Sequence, residues 1–189
     1  IKATGAKIIN GTGKDIEVNI STDTRTIKDG DFYLPLKGAT FDGEKFVNDA
    51  LNKGALGAFV TSEKSIENTD NKCILLVEDT LTAYLKLANY LRNKNNYTVV
   101  AVTGSSGKTT TKEMLYSVIS QKYNTHKSYS NYNNQFGLCK TLLEMPNDTQ
   151  VLIVEAGMRA LGDVELISKY AQPDIAVLTN IGTSHIGLL

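Results

Sequence analysis

The most chemically pointed stretch of the sequence is Thr103-Gly104-Ser105-Ser106-Gly107-Lys108-Thr109-Thr110. An apolar run, Thr98–Thr103, leads into it and a helical pattern opens at Lys108. That order suits phosphate binding. Glycines let backbone amides wrap an anion without Cβ clashes, a helix N-terminus adds partial positive charge, and Lys108 adds a full one. Thr109 stands where a hydroxyl can ligate the Mg²⁺ of a bound nucleotide. The common form G-x-x-x-x-G-K-[ST] would put its first glycine at Val102, whereas the early glycine here is Gly104. A chance Gly-Lys-Thr in a loop is the competing reading, and the strand before and helix after argue against it.

Two further strand ends carry reactive side chains. The run at 151–154 ends in Glu155-Ala156-Gly157-Met158. An acid at that place beside a phosphate loop is the usual holder of a nucleotide's Mg²⁺; a solvated strand end or a capping carboxylate is the plainer alternative. The run at 175–179 is followed by Asn180, Gly182, Thr183, Ser184 and His185. His185 reads equally as a loop residue or as a metal or phosphate ligand. The stretch Tyr129-Ser130-Asn131-Tyr132-Asn133-Asn134-Gln135-Phe136-Gly137 reads as turn chemistry or as uncharged amides for a polar substrate, and residue types do not choose. In the first half, Ser21-Thr22-Asp23-Thr24-Arg25 and Lys37-Gly38-Ala39-Thr40-Phe41-Asp42-Gly43 read as turns with a surface ion pair.

The elements that position these residues fall into two parts. A polar run, Asn93-Lys94-Asn95-Asn96, marks a boundary between residues 1–95 and 96–189. Before it, residues 16–20 alternate, and 31–36, 56–61 and 73–78 are short strand-like runs. Residues 44–53 have a helical pattern, and Leu81, Tyr84, Leu85, Ala88 and Leu91 follow Thr80, a good N-cap residue. The first part is therefore a small mixed α/β domain. After the boundary, strands at 98–103, 151–155 and 175–179 alternate with helices at 108–121, 138–145 and 162–171. Continuous apolar strands separated by helices predict a three-stranded parallel sheet buried on both faces. Ligands of such sheets bind at the carboxyl ends of the strands, where the chemical residues lie.

Composition narrows the classes of function. Twenty Lys+Arg balance twenty Asp+Glu, so the basic face of a general nucleic-acid binder is not expected. No apolar run approaches the roughly 20 residues of a membrane helix. The 189 residues allow one domain or two small ones. Cys73 and Cys139 have no C-x-x-C spacing and predict two buried, reduced thiols. No leader or lipidation motif stands at the start, which opens on Ile1, so a trimmed N-terminus and a cytoplasmic location are expected.

Together these segments resemble the Mur ligases, the ATP-dependent amide-forming enzymes of bacterial cell-wall synthesis. The closest resemblance is to the member that joins D-alanyl-D-alanine to UDP-N-acetylmuramoyl-tripeptide. The stretch from Val102 to Glu113 is similar to that family's phosphate loop, which lacks the first glycine. Asn131-Tyr132-Asn133-Asn134-Gln135-Phe136-Gly137 is similar to its G-N-x-N-N-x-I-G loop, Glu155-Ala156-Gly157-Met158 to its E-M-G-M, and Asn180 through His185 to its N-I-x-x-A-H. Thr22-Asp23-Thr24-Arg25 resembles its D-S-R element, and Lys37-Gly38 with Phe41-Asp42-Gly43-Glu44-Lys45-Phe46 its G-x-x-x-D-G-H-x-F. Ser130, Cys139, Ala156 and Glu44 depart from the common residues, and Glu44 stands where histidine is usual.

The resemblance implies a small mixed α/β N-terminal domain binding the UDP-muramoyl peptide, followed by part of a parallel-sheet P-loop ATPase domain. It implies that Lys108 holds the β- and γ-phosphates within a cradle running from Thr103 to Thr110. It also implies that Thr109 and Glu155 hold Mg²⁺, and that His185 binds a second Mg²⁺. Thr22, Asp23, Thr24, Arg25, Lys37, Gly38, Asp42 and Gly43 would contact the uridine nucleotide, and Asn131, Asn133 and Asn134 the muramoyl peptide. A MurE-like or folylpolyglutamate-synthase-like ligase, a small-molecule kinase and a non-catalytic nucleotide-binding module are the alternatives. The paired serines and doubled asparagine favour the tripeptide ligase. Family members carry a third domain and a carboxylated lysine downstream of the histidine, so these residues by themselves are expected not to catalyse ligation. A monomer is expected at full length.

Overall fold

The computed structural model describes residues 1–12, 16–38, 40–63, 66–67, 69–130 and 132–182. The chain divides into two compact units, Ile1–Lys86 and Leu87–Leu189. In the first, β1 (Lys7–Asn10), β2 (Ile20–Ser21), β3 (Phe32–Tyr33), β4 (Gly57–Val60) and β5 (Cys73–Leu76) form one sheet in the order β1-β5-β4-β3-β2. β1 runs antiparallel to β5 and the other pairs are parallel, so the domain is mixed α/β, as its patterning predicts. The strand expected at 16–20 contributes little: Ile16 is exposed and regular pairing begins at Ile20. Residues 44–53 also split, because the Asp42 carboxylate accepts from Glu44 N and starts a 3-10 turn, Gly43–Phe46, before α1 (Val47–Asn52). Tyr33, Val47, Ala50, Leu51, Ala58, Val60 and Ile74 build the core between them.

Helix α2 (Thr80–Lys94) crosses the division between the units. Thr80 is buried, and Asp79 does the capping, accepting from Thr82 N at 2.6 Å. The last turns belong with the second unit, which explains a division earlier than the polar run at 93–96. Asn89 donates to Tyr170 O at 2.9 Å, and Arg92 reaches Ala171 O and the Asp174 carboxylate at 3.1 and 2.9 Å.

The second unit contains β6 (Thr98–Thr103), α3 (Lys108–Ile119), β7 (Thr125–Lys127), α4 (Gln135–Leu143), β8 (Val151–Glu155), α5 (Asp163–Ala171) and β9 (Ile175–Leu178). The sheet is parallel throughout, in the order β7-β8-β6-β9. It has four strands among the described residues, not the three expected. Thr-His-Lys does not read as a strand because β7 is short, polar and marginal, and only backbone pairing to β8 makes it one. Alternate residues Val100, Val102, Val151 and Ile153 pack on Leu115, Tyr116 and Ile119 of α3. Val99, Leu152 and Val154 are buried too, so the sheet is covered on both faces in its centre. The register pairs Val102 with Glu155 and Thr103 with Leu178, which brings the ends of three strands level.

No described helix is long and apolar enough to cross a membrane. Both thiols are free; Cys139 is buried and Cys73 only half-buried. Burial pushes the Cys139 thiol up to about 12 and also raises that of Cys73. Alkylation needs the thiolate. Iodoacetamide at pH 8 should therefore leave Cys139 unmodified in the folded protein and label it only after denaturation. Labelling of Cys139 at the rate of a free thiol, read by peptide mass mapping, would show that α4 opens readily.

Candidate phosphate and metal site

The chain leaving β6 turns at once. Gly104 has φ +133°, and a Cβ there would stand 2.1 Å from Thr179 Oγ1, so the position admits only glycine. Gly107, with φ +77°, starts α3 from the left-handed region. Lys108 Nζ donates to Gly104 O at 2.6 Å, which holds the ammonium over the loop. Thr109 and Thr110 lie exposed on the first turn. The Thr103 hydroxyl instead donates to Ala156 O at 2.9 Å and ties the ends of β6 and β8 together.

A second segment shapes this loop. Asn180 accepts from Ser106 N at 3.0 Å through its side chain and from Ser105 N at 3.1 Å through its carbonyl. Thr179 Oγ1 donates to Ser106 O at 2.6 Å, and Gly182 N donates to Ser105 Oγ at 2.7 Å. The sequence reading placed Thr179 in the strand and Asn180 at its end and in the family motif, without assigning either a role in the site.

Glu155 closes the site from β8. Its side chain is 2% exposed. Oε2 accepts from Thr109 Oγ1 at 2.9 Å and Oε1 from Asn133 Nδ2 at 3.2 Å, so both oxygens are oriented. Asn133 is held in turn by Gly157 N, which donates to its carbonyl at 2.7 Å. A Cβ on Gly157 would meet that carbonyl oxygen at the same distance, so the close approach requires glycine. The Oδ1 of Asn133 is buried and has no hydrogen-bond partner. The Thr109 hydroxyl and the Glu155 carboxylate meet as oxygen donors, which suits Mg²⁺. Lys112, with no exposed side-chain surface, lies 3.7 Å from Glu155 Oε2. The sequence reading assigned it no role, although it sits one turn beyond Lys108.

The other expected site residues separate into groups. Asn134 is the N-cap of α4, its Oδ1 accepting from Gly137 N at 2.9 Å, which realises the turn reading of that residue. Asn131, Thr183, Ser184 and His185 lie outside the described residues. In the first unit Asp23 accepts from Arg25 N at 2.9 Å and pairs with its exposed guanidinium at 2.6 Å. Thr22 precedes this turn, and Thr24 O accepts from Lys53 Nζ at 3.0 Å. Lys37 bridges to Asp42, Gly38 N donates to Phe41 O at 2.8 Å, and Gly43 N donates to Leu36 O at 3.0 Å, making one tight loop. Phe41 and Phe46 stack beside it at 5.6 Å between ring centres, an exposed aromatic surface that the sequence reading did not assign. The Glu44 carboxylate accepts from Thr61 N.

A glycine loop between a strand and a helix, with a parallel neighbour ending in an acid, defines a phosphate-loop protein of the α/β class. The family profile described as Mur ligase family, catalytic domain, matches residues 18–123, and that of the Mur ligase middle domain matches residues 102–189. The chain belongs to the Mur ligase family. It is 44% identical over 183 residues to a UDP-N-acetylmuramoyl-tripeptide–D-alanyl-D-alanine ligase of Synechocystis, a match covering 96% of this chain and 40% of that relative. Crystal structure I of MurF from Acinetobacter baumannii superposes with a TM-score of 0.91 at 38% identity, covering 99% of this chain and 41% of that one. The MurF ligase of Thermotoga maritima in complex with ADP superposes at 0.81 and 35% identity, covering 89% and 39%. The chain thus spans about two fifths of the length of the relatives it matches.

Proposed function

We propose that this chain is the N-terminal and central part of an ATP-dependent, ADP-forming ligase that joins D-alanyl-D-alanine to UDP-N-acetylmuramoyl-tripeptide. The observation that carries the reading is the contact of Thr109 with Glu155, which joins the residue after Lys108 to the acid of the neighbouring strand. The similarity to MurF proteins over nearly the whole chain supports the substrate assignment. In this reading the first unit receives the uridine nucleotide at the Thr22–Arg25 turn and the Lys37–Gly43 loop. The second unit holds ATP at Gly104 to Thr109. The protein works as a cytoplasmic monomer.

The terminal carboxylate of the peptide attacks the γ-phosphorus, ADP leaves, and the amine of D-alanyl-D-alanine then displaces phosphate from the acyl carbon, losing one proton. Lys108 draws negative charge from the transferring phosphoryl group, and the Gly104–Lys108 backbone orients it. Mg²⁺, when bound, neutralises charge on the β- and γ-phosphates. Thr109 and Glu155 would hold it, and His185 is proposed to serve a second ion. These residues align and neutralise; none needs to remove a proton from the attacking carboxylate.

Calorimetry on the full-length protein should show UDP-muramoyl-tripeptide binding at least tenfold more tightly than UDP-muramoyl-dipeptide. The accompanying phosphate release should depend on D-alanyl-D-alanine. Preference for the dipeptide would transfer the assignment to a MurE-like ligase, and nucleotide binding with no phosphate release to a non-catalytic module.

A further inference from the structure

Lys112 is an unusual lysine, because its side chain is fully buried. An ammonium has three protons to place. Two directions are taken by Ser128 O at 3.0 Å and Ser130 O at 3.2 Å, on the segment that leads from β7 to α4. The remaining charge faces two carboxylates, Glu155 at 3.7 Å and Glu113 at 3.6 Å. The same segment returns to Glu155 twice more: Ser128 Oγ accepts from Glu155 N at 3.1 Å, and Asn133 Nδ2 donates to Oε1. Lys112 therefore stands where α3, the acid of β8 and the asparagine loop meet, one helical turn from Lys108 and three residues from Thr109.

We propose that Lys112 is a positioning residue that acts through Glu155, fixing its carboxylate for the metal-bound nucleotide and fastening it to the asparagine loop. This rests on the nucleotide-site reading above. A buried carboxylate without a nearby cation is free to turn from its partners, and the anchored loop carbonyls keep the cation itself from swinging away. Lys108 and the backbone amides face the phosphates directly, so metal-free nucleotide binding is independent of Lys112. Metal-dependent binding is not.

The test is the affinity of full-length protein for ATP by calorimetry, with Mg²⁺ and with chelator, alongside a thermal melt. Lys112→Met should reduce the Mg²⁺-dependent gain in affinity by about tenfold or more, while affinity in chelator changes less than twofold. In a Glu155→Gln background the same substitution should alter neither value. Equal loss with and without Mg²⁺ assigns the lysine a structural role and overturns the proposal. A larger Mg²⁺ gain in Lys112→Met, the result for a cation that merely competes with the metal, also overturns it. Where Lys112→Met does not fold, Lys112→Gln, which keeps donors for the carbonyls and removes the charge, is read the same way. Failure of both to fold counts against the proposal. Wild-type protein that gains nothing from Mg²⁺ overturns the metal-site reading first, and this inference with it.

Discussion

In the full-length protein, with the activity proposed above, Lys108→Ala should lower kcat/KM for the D-alanyl-D-alanine-dependent release of phosphate by on the order of 10³-fold, the scale expected for removing a full charge aimed at a transferring phosphoryl group. Stability should hardly change. The ammonium of Lys108 contacts carbonyls of its own loop at 2.6 and 3.4 Å, and loss of such bonds at a partly exposed place costs about 1 kcal/mol. The loop itself is shaped by Gly104, Gly107, Thr179 and Asn180, so its course survives the substitution. Steady-state kinetics and a thermal melt check both halves. Activity within tenfold of wild type would mean that the phosphate-loop reading is wrong, however well the segment resembles one.

Glu155→Gln should fail differently, losing activity and stability together. The carboxylate receives a hydroxyl proton on one oxygen and an amide proton on the other. An amide in its place has one accepting and one donating end: with the oxygen kept toward Asn133, the NH2 faces the Thr109 hydroxyl, which can turn to accept, and the Lys112 ammonium, which cannot. Lys112 also loses a buried counter-charge, and breaking a buried ion pair from one side costs about 3–5 kcal/mol. On the kinetic side, losing an aligned ligand of the transition-state charge should cost roughly 10²–10³-fold in kcat. Urea unfolding followed by circular dichroism reads the first effect and single-turnover phosphate release the second. A further pairing sharpens it: Lys112→Met with Glu155→Gln removes both charges and should be more stable than Glu155→Gln alone. Equal stability of the two would show that the pair carries no buried-charge energy.

The sequence exposed the fold most plainly where burial is symmetrical. β6 has Val-Val-Ala-Val and β8 Val-Leu-Ile-Val at their centres because both faces of the sheet are covered, and the phosphate loop shows itself by glycine placement between a strand and a helix. Marginal elements were hidden for the complementary reason. Thr125-His126-Lys127 becomes a strand through pairing with residues some 26 positions later, and its side chains carry no trace of it. Adjacent cap-type residues were ambiguous as well. Thr80 reads as the N-cap of α2, but its neighbour Asp79 accepts from Thr82 N; Asn133 and Asn134 each read as turn or ligand residues, and Asn134 caps α4. Lys112 resembles any surface lysine one turn along a helix; its burial arises only when the loop from β7 folds over it.

The clasp on the phosphate loop orders events during synthesis. Ser105 and Ser106 take their shape from Thr179, Asn180 and Gly182, which lie 73 to 77 positions further along the chain. A ribosome that has delivered β6 and α3 has delivered the motif but not its conformation. The observed shape of the loop needs β9 beside β6, so the cradle is expected to form only after both strands have been made.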